Sequence, residues 1–222
     1  MLIRCYLLCV PHHFLWVHNF LFTKSLPLPC IFGLDTQPSD FSLIAYFYWV
    51  DIVSITLATT ENAAAIADVI SQAARDLTFK HGQGHWSSVA SAKGVLSGMG
   101  RAKILIAKQG NDIVGTLRLT TTRPWVIDPD YFTSVKHPVY LVDMAVHPNY
   151  QRIGIGRLLI ERAKSMSAAW GGDAIRLDAY EGSAGACEFY HKCGFTERGR
   201  IVYKTVPHIY FEWLIMPKSQ NR

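Results

Sequence analysis

The sequence predicts an α/β fold in which a mixed sheet carries helices on both of its faces. Three observations support this prediction. Short stretches of alternating apolar and polar residues indicate strands, longer stretches with apolar residues at helical spacing indicate helices, and the two kinds follow one another along residues 51–222. A chain of 222 residues is long enough for one such domain with an extension.

Each element has a local signal. Alternation predicts a first strand at 51–57, and apolar residues at helical spacing predict a helix at 63–77. A weaker helical pattern covers 86–96. Gly110-Asn111 predicts a hairpin turn between two strands. The remaining predicted elements are strands at 103–108, 112–121, 139–146, 174–179, 201–205 and 209–216 and helices at 154–170 and 183–193.

Residues 1–50 differ in composition from the rest of the chain. They contain only four formally charged residues but eleven of the 27 aromatic residues. Pro11, His12 and His13 end the first apolar run too early for a signal peptide, and the next run is too short for a membrane span. Two interpretations stay open: a translation start placed too early, and a peripheral membrane anchor. In both cases we expect the folded domain to occupy residues 51–222.

The charge balance and the cysteines exclude some classes of function. The net charge is +5 and the pI is about 9.0, but Lys and Arg are scattered, so we expect no nucleic-acid partner, whereas a phosphorylated small molecule is compatible. The five Cys form no C-x-x-C pair, which argues against a disulfide framework and against a zinc site. Reduced thiols are typical of the cytoplasm, where we expect this protein.

The most informative segment joins a buried strand to a helix through a loop that contains glycine. The strand ends at His147-Pro148, and the helix opens with Gln151-Arg152-Ile153-Gly154-Ile155-Gly156. The first turn of a helix leaves backbone N–H groups without partners, and glycines let a ligand approach them closely. The segment therefore predicts a phosphate site with Arg152 and Arg157 at its rim. A tight turn without any ligand is the alternative.

Two sequence blocks together resemble the GNAT superfamily of N-acetyltransferases. The first is the strand followed by [Q/R]-x-x-G-x-[G/A] at the start of a helix. The second, N-x-x-A-x-x-[F/L]-Y-x-x-x-G-F, is matched by residues 183–195, with Ser183 where the family often has Asn. The resemblance covers roughly residues 52–216. It implies a mostly antiparallel central sheet that is splayed in its middle and flanked by helices on both faces.

The resemblance implies acetyl-CoA as a co-substrate and no metal. The diphosphate would bind the loop and the helix start, and the pantetheine arm would pair with the preceding strand. Ser183 and Ala186 of the second block would complete the site. There the Ser183 hydroxyl takes the place of the side-chain amide of the usual Asn. The implied coenzyme-binding residues are Met144, Ala145, Val146, Gln151, Arg152, Ile153, Gly154, Ile155, Gly156, Arg157, Ser183 and Ala186.

The implied reaction is transfer of an acetyl group to a primary amine of a small molecule or peptide, by direct attack in a ternary complex. Tyr190 matches the family tyrosine that donates to the departing thiolate, and ordinary core packing is its alternative role. Asp143 is the first candidate for the general base or for a contact with the amine, because a carboxylate is unusual within a central strand. Glu181 and Tyr140 are further candidates. A non-catalytic acetyl-CoA sensor is the alternative function.

Two loops are candidates for the acceptor site. His81 and His85 flank a glycine-containing stretch, where we expect a mobile loop over the acceptor pocket rather than a metal site. The long segment 122–138 carries two Asp that would suit a cationic amine. The expected partner is therefore a small-molecule amine. We expect contact with a membrane only if residues 1–50 act as an anchor, and a homodimer is left open because family members often form dimers.

Overall fold

The computed structural model describes residues 53–183 and 185–215, which contain seven strands and four α-helices. The predicted extension at residues 1–50 lies outside the described residues, as do the outer ends of the first and last predicted strands. In chain order the elements are β1 (Val53–Leu57), α1 (Ala63–His81), α2 (Ala92–Met99), β2 (Ala102–Gln109), β3 (Asp112–Thr120), β4 (Pro138–Val146), α3 (Ile155–Ala169), β5 (Ala174–Tyr180), α4 (Cys187–Lys192), β6 (Thr196–Tyr203) and β7 (Val206–Leu214).

The strands form one sheet in the order β1-β2-β3-β4-β5-β7-β6. All neighbours are antiparallel except β4 and β5, which are parallel. The parallel pair is also the shortest, because β4 and β5 are in register only from Pro138–Ala174 to Tyr140–Arg176. Beyond that point the two strands separate. The predicted fold, a mostly antiparallel sheet that is splayed in its middle, is confirmed.

Helices cover both faces of the sheet because side chains alternate along the strands. Leu105 of β2 packs into the main core together with Leu159 of α3, whereas its neighbour Ile104 packs with Ile66 of α1 on the opposite face. Burial of one large apolar side chain contributes about 1.5–3 kcal/mol. None of the helices described is both long and apolar enough to cross a membrane.

Two predicted helices begin later than the sequence pattern indicated. Helix α2 begins at Ala92 rather than at residue 86, because the Ser91 hydroxyl accepts a hydrogen bond from the Gly94 N–H at 3.2 Å and caps the helix there. Helix α4 begins at Cys187 rather than at residue 183. The intervening chain folds back on itself: the Gly185 N–H donates to the carbonyl of Gly182, and a Cβ at Gly185 would lie 1.7 Å from the Tyr180 carbonyl oxygen.

The last two strands form a longer hairpin than predicted. Thr196–Tyr203 and Val206–Leu214 are joined by Lys204 and Thr205, both of which have positive φ values, 43° and 69°. Sequence patterns usually mark such a turn by Gly or Asn, which tolerate this conformation. The absence of those residue types explains why the sequence indicated a later and shorter pair of strands.

Candidate active site

The central feature of the site is an extra residue in β4. Thr116 of β3 lies opposite Ala145, and Arg118 lies opposite Val142. Between these two pairs β4 therefore contains one residue more than β3. The extra residue falls at Asp143, whose φ is +50°. A bulge of this kind interrupts the ladder and turns a side chain in a new direction. Here it directs the Asp143 carboxylate to the guanidinium of Arg118, at 2.5 Å.

The splay leaves one edge of β4 accessible. Ala145 and Val146 pair with β3 on one side. On the other side, no strand among the described residues pairs with residues 141–146. Backbone groups on such an edge are free to pair with an extended ligand. Met144, Ala145 and Val146, which are predicted to pair with the pantetheine arm, lie along this edge.

The loop after β4 is tied back to the strand and presents its amides at the start of α3. The side-chain Nε2 of Gln151 donates to the Val146 carbonyl at 3.0 Å. Arg152 and Gly154 have φ values of +65° and +96°. Residues with a left-handed backbone conformation next to the start of a helix point consecutive N–H groups in one direction. Such groups form a concave site that can bind an anion. Within the described chain, the N–H groups of residues 152–154 donate to no backbone carbonyl.

The first turn of α3 adds to this concavity. The N–H groups of residues 155–157 have no acceptor within the helix, and the positive end of the helix dipole lies there. Arg152 and Arg157 are both exposed at the rim. Gly156 packs closely: a Cβ at this position would lie 3.2 Å from Cζ of Phe189 and 3.3 Å from Cε of Met144. Of the predicted coenzyme residues from 144 to 157, Ile155 is buried and the others are half-buried or exposed.

The two predicted coenzyme contacts of the second block have other neighbours. Ser183 is exposed, and its hydroxyl lies 3.3 Å from Nδ1 of His81 at the end of α1. Ala186 is the N-cap residue of α4. The loop from β5 to α4 therefore contacts α1 through Ser183. His81, which the sequence analysis grouped with His85, is positioned by this loop.

Tyr190 combines a core ring with a hydroxyl that reaches β4. Its ring contacts those of Phe189, Phe195 and Phe211, and the residue is only 7% exposed. Its hydroxyl points to the sulfur of Met144 at 3.9 Å, beside the bulge. Burial raises the pKa of Tyr190 above its usual value, and the charge of Asp178 raises it further. The phenol thus stays protonated and can donate a hydrogen bond.

A cavity of about 490 Å³ opens on the sheet face that carries α1 and α2. Arg118 and Asp143 line it from the sheet, and His85 and Trp86 line it from the segment between α1 and α2. Tyr180 closes it on the β5 side, with its ring centroid 5.4 Å from that of Trp86. The remaining wall is largely apolar and includes Ile66, Ile70, Val89, Val95 and Ile104.

Three sequence-based candidates lie away from this cavity. Tyr140 is buried in a small cluster with Phe132 and Tyr210. Glu181 forms an ion pair with Arg200. The segment 122–138 packs against β7 through that small cluster, and none of its residues lines this cavity, so its role at the acceptor site stays a prediction. Within the described chain, no three His, Cys, Asp or Glu side chains are grouped as a metal site would require.

A pair of polar residues on β5 and β7 was not predicted from the sequence. Asp178 and His208 lie in contact, with 2.8 Å between the carboxylate Oδ2 and Nδ1. His208 is 4% exposed, and its Nε2 is buried without a hydrogen-bond partner among the described residues. One signal was available: Arg176, Asp178 and Tyr180 alternate with apolar residues along β5 and share one face.

Comparisons of the sequence and of the fold with known proteins both lead to acetyltransferases. A sequence model described as the acetyltransferase (GNAT) family matches residues 76–195, more than half of the chain. The fold is similar to that of yncA from Salmonella typhimurium, a candidate acetyltransferase solved with its cofactor acetyl-CoA, at 17% identity over 76% of this chain and 96% of that chain, with a TM-score of 0.58.

Two further proteins of known structure have names that indicate different acceptors. The ribosomal-protein-S18-alanine N-acetyltransferase from Escherichia coli matches at 20% identity over 77% of this chain and 98% of that chain, with a TM-score of 0.56. Aminoglycoside 6′-acetyltransferase type Ii matches at 18% identity over 74% of this chain and 99% of that chain, with a TM-score of 0.54. At these identities the similarity demonstrates a shared fold.

Proposed function

The chain belongs to the acetyltransferase (GNAT) family, and from that membership we propose that it transfers the acetyl group of acetyl-CoA to a primary amine of a small molecule or peptide. One observation carries the proposal. The accessible edge of β4 and the free amides at the start of α3 are consecutive parts of one surface, and they match the two halves of a ligand with an extended arm and a diphosphate.

The donor would bind along this surface. Its diphosphate would accept hydrogen bonds from the amides of residues 152–156, with Arg152 and Arg157 adding positive charge. Its pantetheine arm would pair with the backbone of Met144, Ala145 and Val146, and the loop with Ser183 and Ala186 would cover it. Because the bulge interrupts the β3–β4 ladder, a backbone N–H near Met144 is available to polarise the thioester carbonyl.

The acceptor would enter the cavity between α1 and the sheet. A volume of about 490 Å³ suits a small molecule or the end of a peptide. Asp143, held by Arg118, would contact the amine, and Trp86 would contact its apolar part. The amine nitrogen then attacks the thioester carbon, and the oxyanion that forms is held by the backbone near the bulge. As the C–S bond breaks, Tyr190 donates to the CoA thiolate.

The first experiment separates an enzyme from a sensor. The full chain is titrated with acetyl-CoA by calorimetry, and a panel of amines is then assayed by the CoA thiol that is released. The panel contains spermidine, phenethylamine, lysine, an aminoglycoside and a peptide that begins with alanine. Binding with transfer to at least one amine supports the proposal. Binding without any transfer would favour the sensor, and absence of binding would contradict both.

Three further expectations accompany this function and stay predictions. Location in the cytoplasm depends on the interpretation of the cysteines as reduced thiols. Of the five, Cys187 and Cys193 lie within the described residues, and both are free. A homodimer can be checked by the mass of the full chain in solution, and contact through residues 1–50 with a membrane by pelleting the full chain with lipid vesicles.

A further inference from the structure

Among the described residues, the cavity is lined by a single carboxylate, that of Asp143. Its Oδ2 pairs with Arg118, whereas its Oδ1 accepts no hydrogen bond within the described chain. Half of the side chain is exposed, so a ligand in the cavity can reach it. A carboxylate oxygen of this kind accepts a charge-assisted hydrogen bond from an ammonium group. The described lining therefore offers one anionic position, and this position lies at the bulge.

The positive charge of the cavity belongs to Arg118, whose guanidinium is paired and enclosed. Its Nη2 pairs with Asp143, its Nε is buried, and its Nη1 is so close to α2 that a Cβ at Gly98 would lie 2.6 Å from it. Arg118 therefore acts as a fixed positive charge rather than as an open site for a ligand carboxylate. A second ammonium group in the cavity would be repelled by this charge and would find no second carboxylate among the described lining residues.

One wall of the cavity consists of branched apolar side chains, and the hydroxyls of two other lining residues already have partners. Thr116 donates to the Leu105 carbonyl at 3.1 Å, and Ser91 accepts from the Gly94 N–H at 3.2 Å. A ligand with many polar groups would lose hydrogen bonds to water on entry and regain few of them here. The apolar wall instead suits an apolar body; it comprises Ile66, Ile70, Val95 and Ile104.

Trp86 and Tyr180 add an aromatic wall, and the position of Trp86 is fixed by its own loop. Its Nε1 donates to the Gly82 carbonyl at 3.2 Å, and a Cβ at Gly84 would lie 2.5 Å from its Cζ2. The Tyr180 ring meets the Trp86 ring edge to face, with 5.4 Å between centroids. Burial raises the pKa of Tyr180, so its hydroxyl adds no negative charge to the wall. Aromatic walls of this kind favour aromatic and apolar ligands.

We propose that the acceptor is a small monoamine, that is, a primary amine with one ammonium group and an aromatic or branched apolar body. This inference rests on the proposed acetyltransferase function and narrows its substrate class. The ammonium group would donate to Oδ1 of Asp143, and the body would lie between the aromatic wall and the apolar wall. Polyamines and aminoglycosides carry several ammonium groups, and a peptide carries several amides, for which the described lining provides too few partners.

The reaction balances for such an acceptor. Its ammonium group loses one proton to solvent, and the neutral nitrogen forms a bond to the thioester carbon. The C–S bond then breaks, and the nitrogen gives a second proton to the departing thiolate. One acetylamide, one CoA thiol and one proton are formed.

The first test compares kcat/KM for pairs of amines that differ in one group, with the full chain and acetyl-CoA. Pentylamine and cadaverine have the same carbon chain, but cadaverine has a second ammonium group, and we expect a preference of about tenfold for pentylamine. Phenethylamine and phenylalanine differ by one carboxylate, for which Arg118 is enclosed, so we expect phenethylamine to be preferred by a similar factor.

A second test removes the aromatic wall. Trp86→Ala should lower kcat/KM for phenethylamine about tenfold and leave that for methylamine unchanged, since methylamine has no body to contact the ring. Phe79→Ala is the matched control, because Phe79 is 91% exposed on α1 and is not among the residues that line the cavity. It should keep the specificity of the unmodified protein.

A third test adds a carboxylate to the cavity and does not depend on how well Trp86→Ala folds. Val89 lines the cavity and is 68% exposed, so Val89→Glu should be tolerated. The new carboxylate would bind the second ammonium group of cadaverine, and the preference for pentylamine should fall about tenfold. Val202→Glu is the control, because Val202 is 73% exposed on β6 and does not belong to the cavity lining.

The outcomes separate this inference from the proposed function. A preference of the unmodified protein for cadaverine, phenylalanine, an aminoglycoside or the alanine peptide over the monoamines would overturn this inference alone. Unchanged specificity in Val89→Glu would do the same, since the charge of the cavity would then not select the acceptor. An unmodified protein that acetylates no amine would overturn the proposed function together with the inference.

Discussion

The guanidinium of Arg118 lies 2.5 Å from the carboxylate of Asp143, and the extra residue in β4 brings the two side chains together. Arg118 is held from a second direction by α2, where a Cβ at Gly98 would lie 2.6 Å from its Nη1. The position of the Asp143 carboxylate in the cavity therefore depends on three elements: the bulge, the neighbouring strand and a glycine in the helix above. This arrangement makes Asp143 a fixed contact for a cationic group.

We predict that Asp143→Asn raises the KM for the amine about tenfold and leaves the affinity for acetyl-CoA unchanged. Asn tolerates the positive φ of this position, so the change removes the charge and preserves the backbone. Hydrogen bonds to charged groups contribute about 1.5–3 kcal/mol, which corresponds to at least a tenfold change. Steady-state kinetics with the best amine of the panel provide the measurement.

Asp112→Asn serves as the control for this prediction, because Asp112 is an exposed residue at the start of β3. The free energy of unfolding of Asp143→Asn should change little, since half of the Asp143 side chain is exposed. An unchanged KM together with a strong loss of stability would assign the Arg118–Asp143 pair to folding rather than to the acceptor.

The second prediction concerns the helix start, where Gly156→Glu should abolish binding of acetyl-CoA. The new carboxylate would face a diphosphate, and its Cβ would press against Phe189 and Met144. Gly156→Ala adds only the steric part and should weaken binding to a smaller degree. Calorimetry with acetyl-CoA measures both.

Gly100→Ala is the matched control for the helix start, since a Cβ there meets nothing within 4 Å and its φ of −66° is ordinary. Normal binding by Gly156→Glu would mean that the diphosphate is held elsewhere. That result would remove the main support for the proposed donor site.

The third prediction is that Tyr190→Phe lowers kcat about 100-fold while the affinity for acetyl-CoA stays the same. The ring keeps its aromatic contacts, and the only hydrogen bond lost is the weak one to the Met144 sulfur, so the fold should be retained. Because the pKa of Tyr190 is raised, its hydroxyl stays protonated as the pH rises past its usual value. Turnover of the unmodified protein should therefore show no loss near pH 10 from this group.

Tyr131→Phe is a suitable comparison for Tyr190→Phe, because Tyr131 is 41% exposed and belongs to the segment that packs against β7. Equal kcat values for Tyr190→Phe and the unmodified protein would mean that Tyr190 contributes only to packing.

The parts of the site that the sequence predicted are those that are contiguous along the chain. The strand, the loop and the helix start between residues 141 and 157 form one local unit, so residue types and spacing were enough to place Gly154 and Gly156. The accessible edge of β4 followed from the family resemblance rather than from local pattern. Its physical cause is a β4–β5 register of only three residue pairs.

The parts that the sequence could not predict depend on register between strands. Arg118 meets Asp143 only because β4 has one extra residue. The local pattern of β4 singles out Asp143 as an unusual carboxylate but does not indicate an extra residue there. Asp178 and His208 are 30 residues apart and meet because β5 and β7 are neighbours, although β6 comes between them in the chain. The segment 122–138 was assigned to the acceptor for its polar and aromatic residues, but Ile127 and Phe132 bury it against β7.

The last prediction concerns a buried network at the base of the splay. Glu212 is 2% exposed and binds Arg176 at 3.0 Å and Arg198 at 2.8 Å. Its Oε2 also accepts from the Thr133 N–H at 3.2 Å, which ties the segment before β4 to β7. Glu212→Gln would leave two guanidinium groups without a carboxylate. Breaking a buried pair in this way costs about 3–5 kcal/mol, so the free energy of unfolding should fall by that amount in urea denaturation.

Glu188→Gln is the control for the buried network, since Glu188 pairs with Lys192 on the surface and its urea midpoint should not move. Arg176 is also the last residue of β5 that pairs with β4. Loss of Glu212 should therefore speed amide hydrogen exchange first at the β4–β5 pairs Val139–Ile175 and Tyr140–Arg176, before exchange rises elsewhere in the sheet. Equal stability of Glu212→Gln and Glu188→Gln would show that the network is not needed to hold β4 and β5 together, and the splay would then be set by the bulge and the core alone.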